Sequence, residues 1–291
     1  MAKGKIGRQF ALLLKEERER IEHGFIDHNS PFSISDGLDH HRNRYSNVTP
    51  YNFNRVRLPV MDTETNDDYI NASHIEVTYG QSSGRYIATQ GPTPNTITEF
   101  WQMCYNEVKG NNIVVVNLTP LVEQGVRKCH VYWPRNMHES LKIPTSNGVY
   151  KSEFNLQVKE LKSENGFNIT VMDMVSETLP TKKCYHIWTS NWADCSTPSL
   201  EDELHHISKT ASHLKDPNDP LITHCSAGVG RTGTFITFDF MLNHKQALVE
   251  CDDPVWEIVK QLREQRMMMV QTYAQYDFLK HAWSDILNES S

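Results

Sequence analysis

The sequence predicts an α/β fold in which a highly twisted mixed β-sheet carries helices on both sides, with a phosphate-binding loop between one strand and the helix after it. Three observations carry that prediction. Residues 112–119, with Ile-Val-Val-Val at 113–116, read as a central strand buried on both faces. From 149 to 189 the pattern switches to alternation: Tyr150, Ser152, Phe154, Leu156 and Val158, then Phe167, Ile169 and Val171, then Tyr185 and Ile187. These are antiparallel strands, the first two joined over Ser163-Glu164-Asn165-Gly166. Lastly, the apolar run 220–224 feeds Cys225-Ser226-Ala227-Gly228-Val229-Gly230-Arg231-Thr232-Gly233 and then a helix-like pattern.

The helices follow from spacing. Residues 9–23 are charged with an apolar stripe, and 95–108 place Phe100, Trp101, Met103 and Cys104 at helical intervals. Ser199 with Asp202 resembles a capping box opening a helix over 200–214, and the chain after the phosphate loop is mostly helical. No Pro/Gly/Ser linker, low-complexity block or repeat divides the sequence. One domain over 1–291 is expected, with an N-terminal helical extension covering 1–40. At 291 residues and 38% hydrophobic content the chain can bury a large core.

A net charge of −7 argues against nucleic acid as a bulk partner, so any basic surface is local, centred on Arg231, Arg127 and Lys128. The six cysteines (104, 129, 184, 195, 225, 251) include no C-x-x-C pair and no metal-ligand spacing with histidine. Reduced thiols and no metal are expected. The apolar run 10–14 is too short for a secretory signal, Ala2 excludes N-myristoylation, and no stretch approaches the ~18 apolar residues of a membrane span. The expected location is cytoplasmic.

The 225–231 segment carries the chemistry. If Cys225 ends a strand and Arg231 opens a helix, the N–H groups of Ser226, Ala227, Gly228, Val229 and Gly230 curl around one point at the positive end of the helix dipole. A dianionic phosphoryl group fits there. Such a concavity favours thiolate over thiol, which makes Cys225 the expected nucleophile. The Arg231 guanidinium can grip two phosphoryl oxygens, with increasing effect as charge redistributes during transfer. Gly228-x-Gly230-x-x-Gly233 also matches a dinucleotide fingerprint, but too little chain follows Gly233 for the further βα units such a fold needs.

The stretch from His224 to Gly233 resembles the signature loop of the tyrosine-specific, cysteine-dependent protein phosphatases. Asn43-Arg44-Tyr45, Asp68-Tyr69-Ile70-Asn71-Ala72-Ser73, Tyr86-Ile87-Ala88-Thr89-Gln90-Gly91-Pro92, Phe100-Trp101, Lys128-Cys129-x-x-Tyr132-Trp133-Pro134 and Gln271-Thr272-x-x-Gln275-Tyr276 resemble the same family, in its order. The resemblance spans 43–276 and implies a non-receptor type catalytic domain that hydrolyses protein phosphotyrosine through a cysteinyl phosphate. It implies no cofactor and no metal. The implied partners are phosphotyrosine-containing proteins, signalling kinases among them, with neither nucleic acid nor membrane insertion.

The resemblance also implies roles. Asp194, in Trp192-Ala193-Asp194, would be the general acid for the departing tyrosine, a contribution typically worth ~10²–10⁴ in rate. The family usually has proline where Ala193 stands, and losing it widens the ensemble of an open acid loop. Gln271 would place the water that hydrolyses the phosphocysteine, with Gln275 accessory. Thr232 would hydrogen-bond the departing thiolate, and His224 would support the loop from behind. Tyr45 would wall a pocket deep enough for a phenolic phosphate. Asn47 stands where many members carry an acid that binds the peptide backbone, and Glu123 with Lys128 would prop Arg231 and the acid loop. Two other functions compete: a weak or inactive phosphotyrosine-binding adaptor, suggested by Ala193 and Asn47, and a shallow-pocket phosphatase for phosphoserine, phosphothreonine or lipid phosphates. Retained Cys225, Asp194 and Arg231 oppose the first; Tyr45 and the lack of extra basic residues within the loop oppose the second.

Overall fold

The computed structural model describes residues 2–34, 40–64, 66–192 and 198–288. It begins with helix α1 (Ala2–Ile26), about three turns longer than the 9–23 stripe and ending on exposed Phe25 and Ile26. Short strand β1 (Arg55–Arg57) precedes the antiparallel pair β2 (Tyr69–Tyr79) and β3 (Ser82–Thr89), and then comes α2 (Ile97–Glu107). Strand β4 (Asn112–Asn117) follows, then a separate hairpin of β5 (Val122–Glu123) and β6 (Val126–Arg127). Gln124 and Gly125 turn that hairpin with φ of +50° and +76°.

Strands β7 (Ser140–Ile143), β8 (Phe154–Glu164), β9 (Phe167–Val175) and β10 (Lys182–Trp188) complete the alternating region. The β8–β9 hairpin turns at Asn165 and Gly166, both left-handed, as Asn-Gly demands. Tyr150, expected to start the first of these strands, instead makes an isolated bridge to Val60. Helix α3 (Pro198–Leu214) leads to β11 (Leu221–His224), and the remainder is α4 (Gly230–Asn243), α5 (Lys245–Leu248), α6 (Pro254–Gln265) and α7 (Tyr273–Asn288).

Nine strands form one sheet in the order β1-β2-β3-β11-β4-β10-β9-β8-β7. The middle four are parallel: β11 pairs with both β3 and β4, and β4 pairs with β10. Antiparallel strands flank them on both sides. Period-2 alternation then divides the core in two. Val114 and Val116 face α3, α4, α6 and α7, whereas Ile113 and Val115 face α2 and the aromatic cluster of Phe100, Trp101 and Tyr132. Both faces of β4 are buried, which is why its sequence is an unbroken apolar run.

Candidate active site

Strand β11 ends at the carboxyl edge of the parallel quartet, between β3 and β4, and Cys225 is the next residue. From there to the start of α4 the chain wraps once, and its carbonyls are spoken for on the outside. Cys225 O accepts from His224 Nδ1 at 2.9 Å, and Ser226 O from Gly91 N at 2.9 Å. Ala227 O and Gly228 O accept from Arg266 Nη2 and Nε at 3.2 and 2.9 Å, and Val229 O from Gly233 N at 2.9 Å. Because a trans peptide holds N–H opposite C=O, carbonyls turned outward leave the amides facing inward. Val229, the N-cap of α4, offers no side-chain acceptor, so the helix's first amides stay free for an anion.

Two glycines are required. Gly228 has φ +73°, and a Cβ there would sit 2.1 Å from Thr89 O. A Cβ at Gly233 would lie 2.5 Å from Val270 N, so α4 can rest on the 269–270 backbone only without a side chain.

Arg231 is nearly buried. Its Nη2 donates to Glu123 Oε1 at 2.6 Å and its Nη1 to Thr119 Oγ1 at 3.2 Å. Glu123 comes from the β5–β6 hairpin, and its other oxygen lies 3.6 Å from Lys128 Nζ. The expected local basic centre is therefore a shared one, with Arg231 and Lys128 converging on one carboxylate.

Behind the nucleophile runs a buried hydrogen-bond chain. His224 Nδ1 donates to a carbonyl, so its Nε2 is bare and accepts from Tyr132 Oη at 2.5 Å. Tyr132 Oη in turn accepts from His186 Nε2 at 2.7 Å, which leaves His186 Nδ1 as a bare acceptor with no protein partner. Burial lowers the His224 pKa to about 4 and pushes His186 down as well, while the Tyr132 phenol is pushed up.

A cavity of about 490 Å³ opens above the loop. Cys225, Ser226, Ala227, Val229, Gly230 and Arg231 form its floor. Tyr45, Asn47, Glu123, Lys128, Gln271 and Gln275 line its sides. Tyr45 Oη donates to Ser226 Oγ at 2.8 Å, which donates to Lys128 O at 2.7 Å. Arg44 secures Tyr45 from behind through Gly91 O at 2.9 Å and Pro92 O at 2.6 Å. Gln271 Oε1 and Gln275 Nε2 would lie 3.2 and 3.0 Å from a Cβ on Gly230, so both amides reach the loop's rim. Gln275 also caps α7, its Oε1 accepting from Thr272 N at 3.2 Å while Thr272 Oγ1 accepts from Gln275 N at the same distance. Thr232 is fully buried and its Oγ1 has no protein partner. Trp192 is buried in the core. Asp194 and Ala193 lie outside the described residues. Among the described residues no cluster of His, Cys, Asp and Glu could hold a metal ion.

Two buried arginines went unforeseen, Arg263 on α6 and Arg266 at its C-cap. Arg266 is fully buried, binding Asn71 Oδ1 at 2.7 Å and Ser73 Oγ at 3.1 Å besides the two loop carbonyls; burial lowers its pKa to about 10, so it remains charged at neutral pH. Arg263 is equally buried. A signal existed: Val255, Ile258, Val259, Leu262, Arg263 and Arg266 share one helical phase, placing both arginines in the inward stripe.

Comparison with known proteins agrees with this geometry. A family model described as protein-tyrosine phosphatase matches residues 39–285. The chain is 37% identical over 273 residues to tyrosine-protein phosphatase 1 of Saccharomyces cerevisiae, covering 83% of this chain and 81% of that one. It is 35% identical to the mouse tyrosine-protein phosphatase non-receptor type 20, covering 81% of this chain but 51% of the relative. The catalytic domain of human protein tyrosine phosphatase non-receptor type 18 superposes with a TM-score of 0.81 at 26% identity, covering 97% of this chain and 96% of that one. The same phosphatase in complex with HER2 phosphopeptides also gives a TM-score of 0.81 at 26% identity, covering 97% and 92%.

Proposed function

Because the chain belongs to the protein-tyrosine phosphatase family, we propose that it hydrolyses phosphotyrosine on proteins in two steps at Cys225. The observation that carries this reading is the loop itself, whose carbonyls are all bonded outward around one cysteine, with Arg231 held at its mouth by Glu123. In the first step the Cys225 sulfur attacks phosphorus and the tyrosyl oxygen leaves with a proton from Asp194. Loop amides and Arg231 hold the three peripheral oxygens throughout, and stabilise them most where charge concentrates. In the second step a water directed by Gln271 attacks phosphorus, Asp194 takes its proton, and the thiolate departs toward the Thr232 hydroxyl. His224 orients the loop through the Cys225 carbonyl.

Tyr45 supplies the selectivity. Its ring stands on the pocket wall, anchored through Ser226, so a long phenolic phosphate reaches the floor and a shorter phosphoserine falls short. Asn47 on the same wall can accept a hydrogen bond from a substrate backbone without adding charge. Signalling phosphoproteins, kinases included, are the substrates this reading favours, and the phosphopeptide complexes of the type 18 phosphatase support a peptide ligand. A cytoplasmic location is part of the same reading, supported by free thiols at Cys104, Cys129, Cys184 and Cys251. Among the described residues no helix is long and apolar enough to cross a membrane.

The test is initial-rate hydrolysis of a phosphotyrosyl peptide in chelator, from pH 5 to 8, by the wild type, Cys225→Ser and Asp194→Ala. Turnover should vanish in the first variant and fall by roughly a hundredfold or more in the second. Tight peptide binding without wild-type turnover would instead mark a phosphotyrosine-binding module.

A further inference from the structure

The matched family segment begins at residue 39, and α1 lies wholly before it. The buried face of α1 lands on the turn that joins α6 to α7. The Phe10 ring packs 5.7 Å from Tyr276 and 6.2 Å from Tyr273, and the Arg263 guanidinium lies over it at 5.5 Å. Gln9 Nε2 donates to Asp253 Oδ2 at 2.8 Å.

One side chain on this face is charged and buried. Glu17 is 6% exposed; its Oε2 accepts from Arg263 Nη1 at 3.0 Å and its Oε1 from the Met268 backbone N–H at 2.6 Å. Arg263 passes the connection on, donating from Nε to Met269 O at 2.9 Å and from Nη2 to Val270 O at 2.8 Å. The turn so gripped is strained, for Met268 and Val270 have φ of +60° and +56° without being glycine. That backbone costs roughly 1–2 kcal/mol per residue and persists only where its surroundings enforce it. The residue after Val270 is Gln271.

We propose that Glu17 is a positioning residue for the second chemical step, and that the N-terminal helix thereby sets the rate at which the phosphocysteine is hydrolysed. It acts through Arg263 and the Met268 amide on the turn that aims Gln271. The step in question joins a water oxygen to phosphorus, breaks the Cys225 S–P bond, returns the electron pair to sulfur and delivers the water proton to Asp194. The inference rests on reading Gln271 as the group that places this water. Formation of the phosphocysteine uses Cys225, Arg231 and Asp194, none of which Glu17 touches.

The experiment uses the full chain as wild type, Glu17→Ala, Glu17→Gln and Gln271→Ala. A phosphotyrosyl peptide labelled on phosphorus is turned over and quenched in acid. The fraction of enzyme trapped as phosphocysteine is measured per folded molecule, with folding scored by circular dichroism, alongside the single-turnover rate of tyrosine release. Glu17→Ala should leave tyrosine release within about twofold and slow intermediate breakdown about tenfold or more, because small misplacements of a catalytic group carry such penalties. Its trapped fraction should rise accordingly. Glu17→Gln, whose amide oxygen still accepts from Met268 while its NH2 cannot accept from Arg263, should fall between Glu17→Ala and the wild type. An unchanged trapped fraction in Glu17→Ala, or an equal slowing of both steps, overturns the proposal. If Gln271→Ala also leaves the trapped fraction unchanged, the reading of Gln271 fails and the proposal with it; if only Glu17→Ala does, the Gln271 reading stands and the role of α1 alone is lost.

Discussion

Arg231 and Glu123 form a hydrogen-bonded ion pair at 2.6 Å across the mouth of the phosphate loop, although one opens α4 and the other belongs to a two-stranded hairpin outside the main sheet. Thr119 takes a second guanidinium nitrogen at 3.2 Å, so the fork's plane is fixed before substrate arrives. Glu123→Ala removes the stronger of these contacts and leaves Lys128 to compete for the phosphate. A fall in kcat/KM of about 10- to 100-fold is expected, with a smaller loss for Glu123→Gln, which keeps one acceptor. Equal kcat/KM for Glu123→Ala and wild type on a phosphotyrosyl peptide would show that Arg231 orients itself.

Gly228→Ala tests the loop's curvature. Its left-handed φ and the 2.1 Å approach to Thr89 O leave no room for a methyl group. A stability loss of more than about 2 kcal/mol is expected from the conformational cost and the clash together. Inhibition by inorganic phosphate should weaken in the same variant, measured beside urea unfolding. A variant that unfolds and binds phosphate normally sinks the idea that this glycine sets the cradle.

The buried histidines predict acid sensitivity. With its pKa lowered from 6.5 to about 4, folded His224 refuses a proton that the unfolded chain accepts. Between those values the unfolded state binds more protons, so stability falls as pH drops from 6.5 toward 4 and this contribution levels off below. His224 alone accounts for roughly 3 kcal/mol across the window, and His186 acts in the same direction. Thermal melts from pH 4 to 7 should show a shallower decline in His224→Asn than in wild type. Parallel curves would contradict the assignment.

Arg266→Leu should be among the most damaging substitutions in the chain. It strands the Ala227 and Gly228 carbonyls together with Asn71 Oδ1 and Ser73 Oγ beneath the loop. Leaving buried acceptors unmade costs about 1–3 kcal/mol each, so a loss of about 3 kcal/mol or more is expected in chemical unfolding. A loss below about 1 kcal/mol would mean the loop holds its own shape.

The site's floor was legible because its chemistry is contiguous. Cys225 to Arg231 is one short loop, and a strand before it and a helix after it suffice to predict an anion cradle. The walls were legible only through resemblance, since Tyr45, Glu123, Lys128 and Gln271 converge from separate elements. The framework that turns the loop carbonyls outward was not legible, because Gly91, Asn71, Ser73 and Arg266 become neighbours only once β2, β3 and α6 have packed. Those two strands were themselves missed: Tyr69 to Ala72 is buried on both faces, so the period-2 signal appears only from Ser73 onward. β8, β9 and β4 were readable because one is half-exposed and alternating, one turns on Asn-Gly, and one is apolar throughout.

The double parallel pairing of β11 has a consequence for how the protein comes into being. Leu221 lies opposite Tyr86 and Ile222 opposite Val115, partners separated by more than a hundred residues of chain, and neither contact can form through a short local turn. Closing such distances is entropically costly and puts this topology among slow folders, on the millisecond-to-second scale. Helices and the β8–β9 hairpin can form on local contacts alone. The nucleophile's cradle, by contrast, must wait until α6 has been made, since Arg266, the arginine that braces it, is the residue that ends that helix. In refolding, catalytic activity is therefore expected to return after the circular-dichroism signal, and a ribosome-bound chain that stops short of α6 has no cradle in which Cys225 could act.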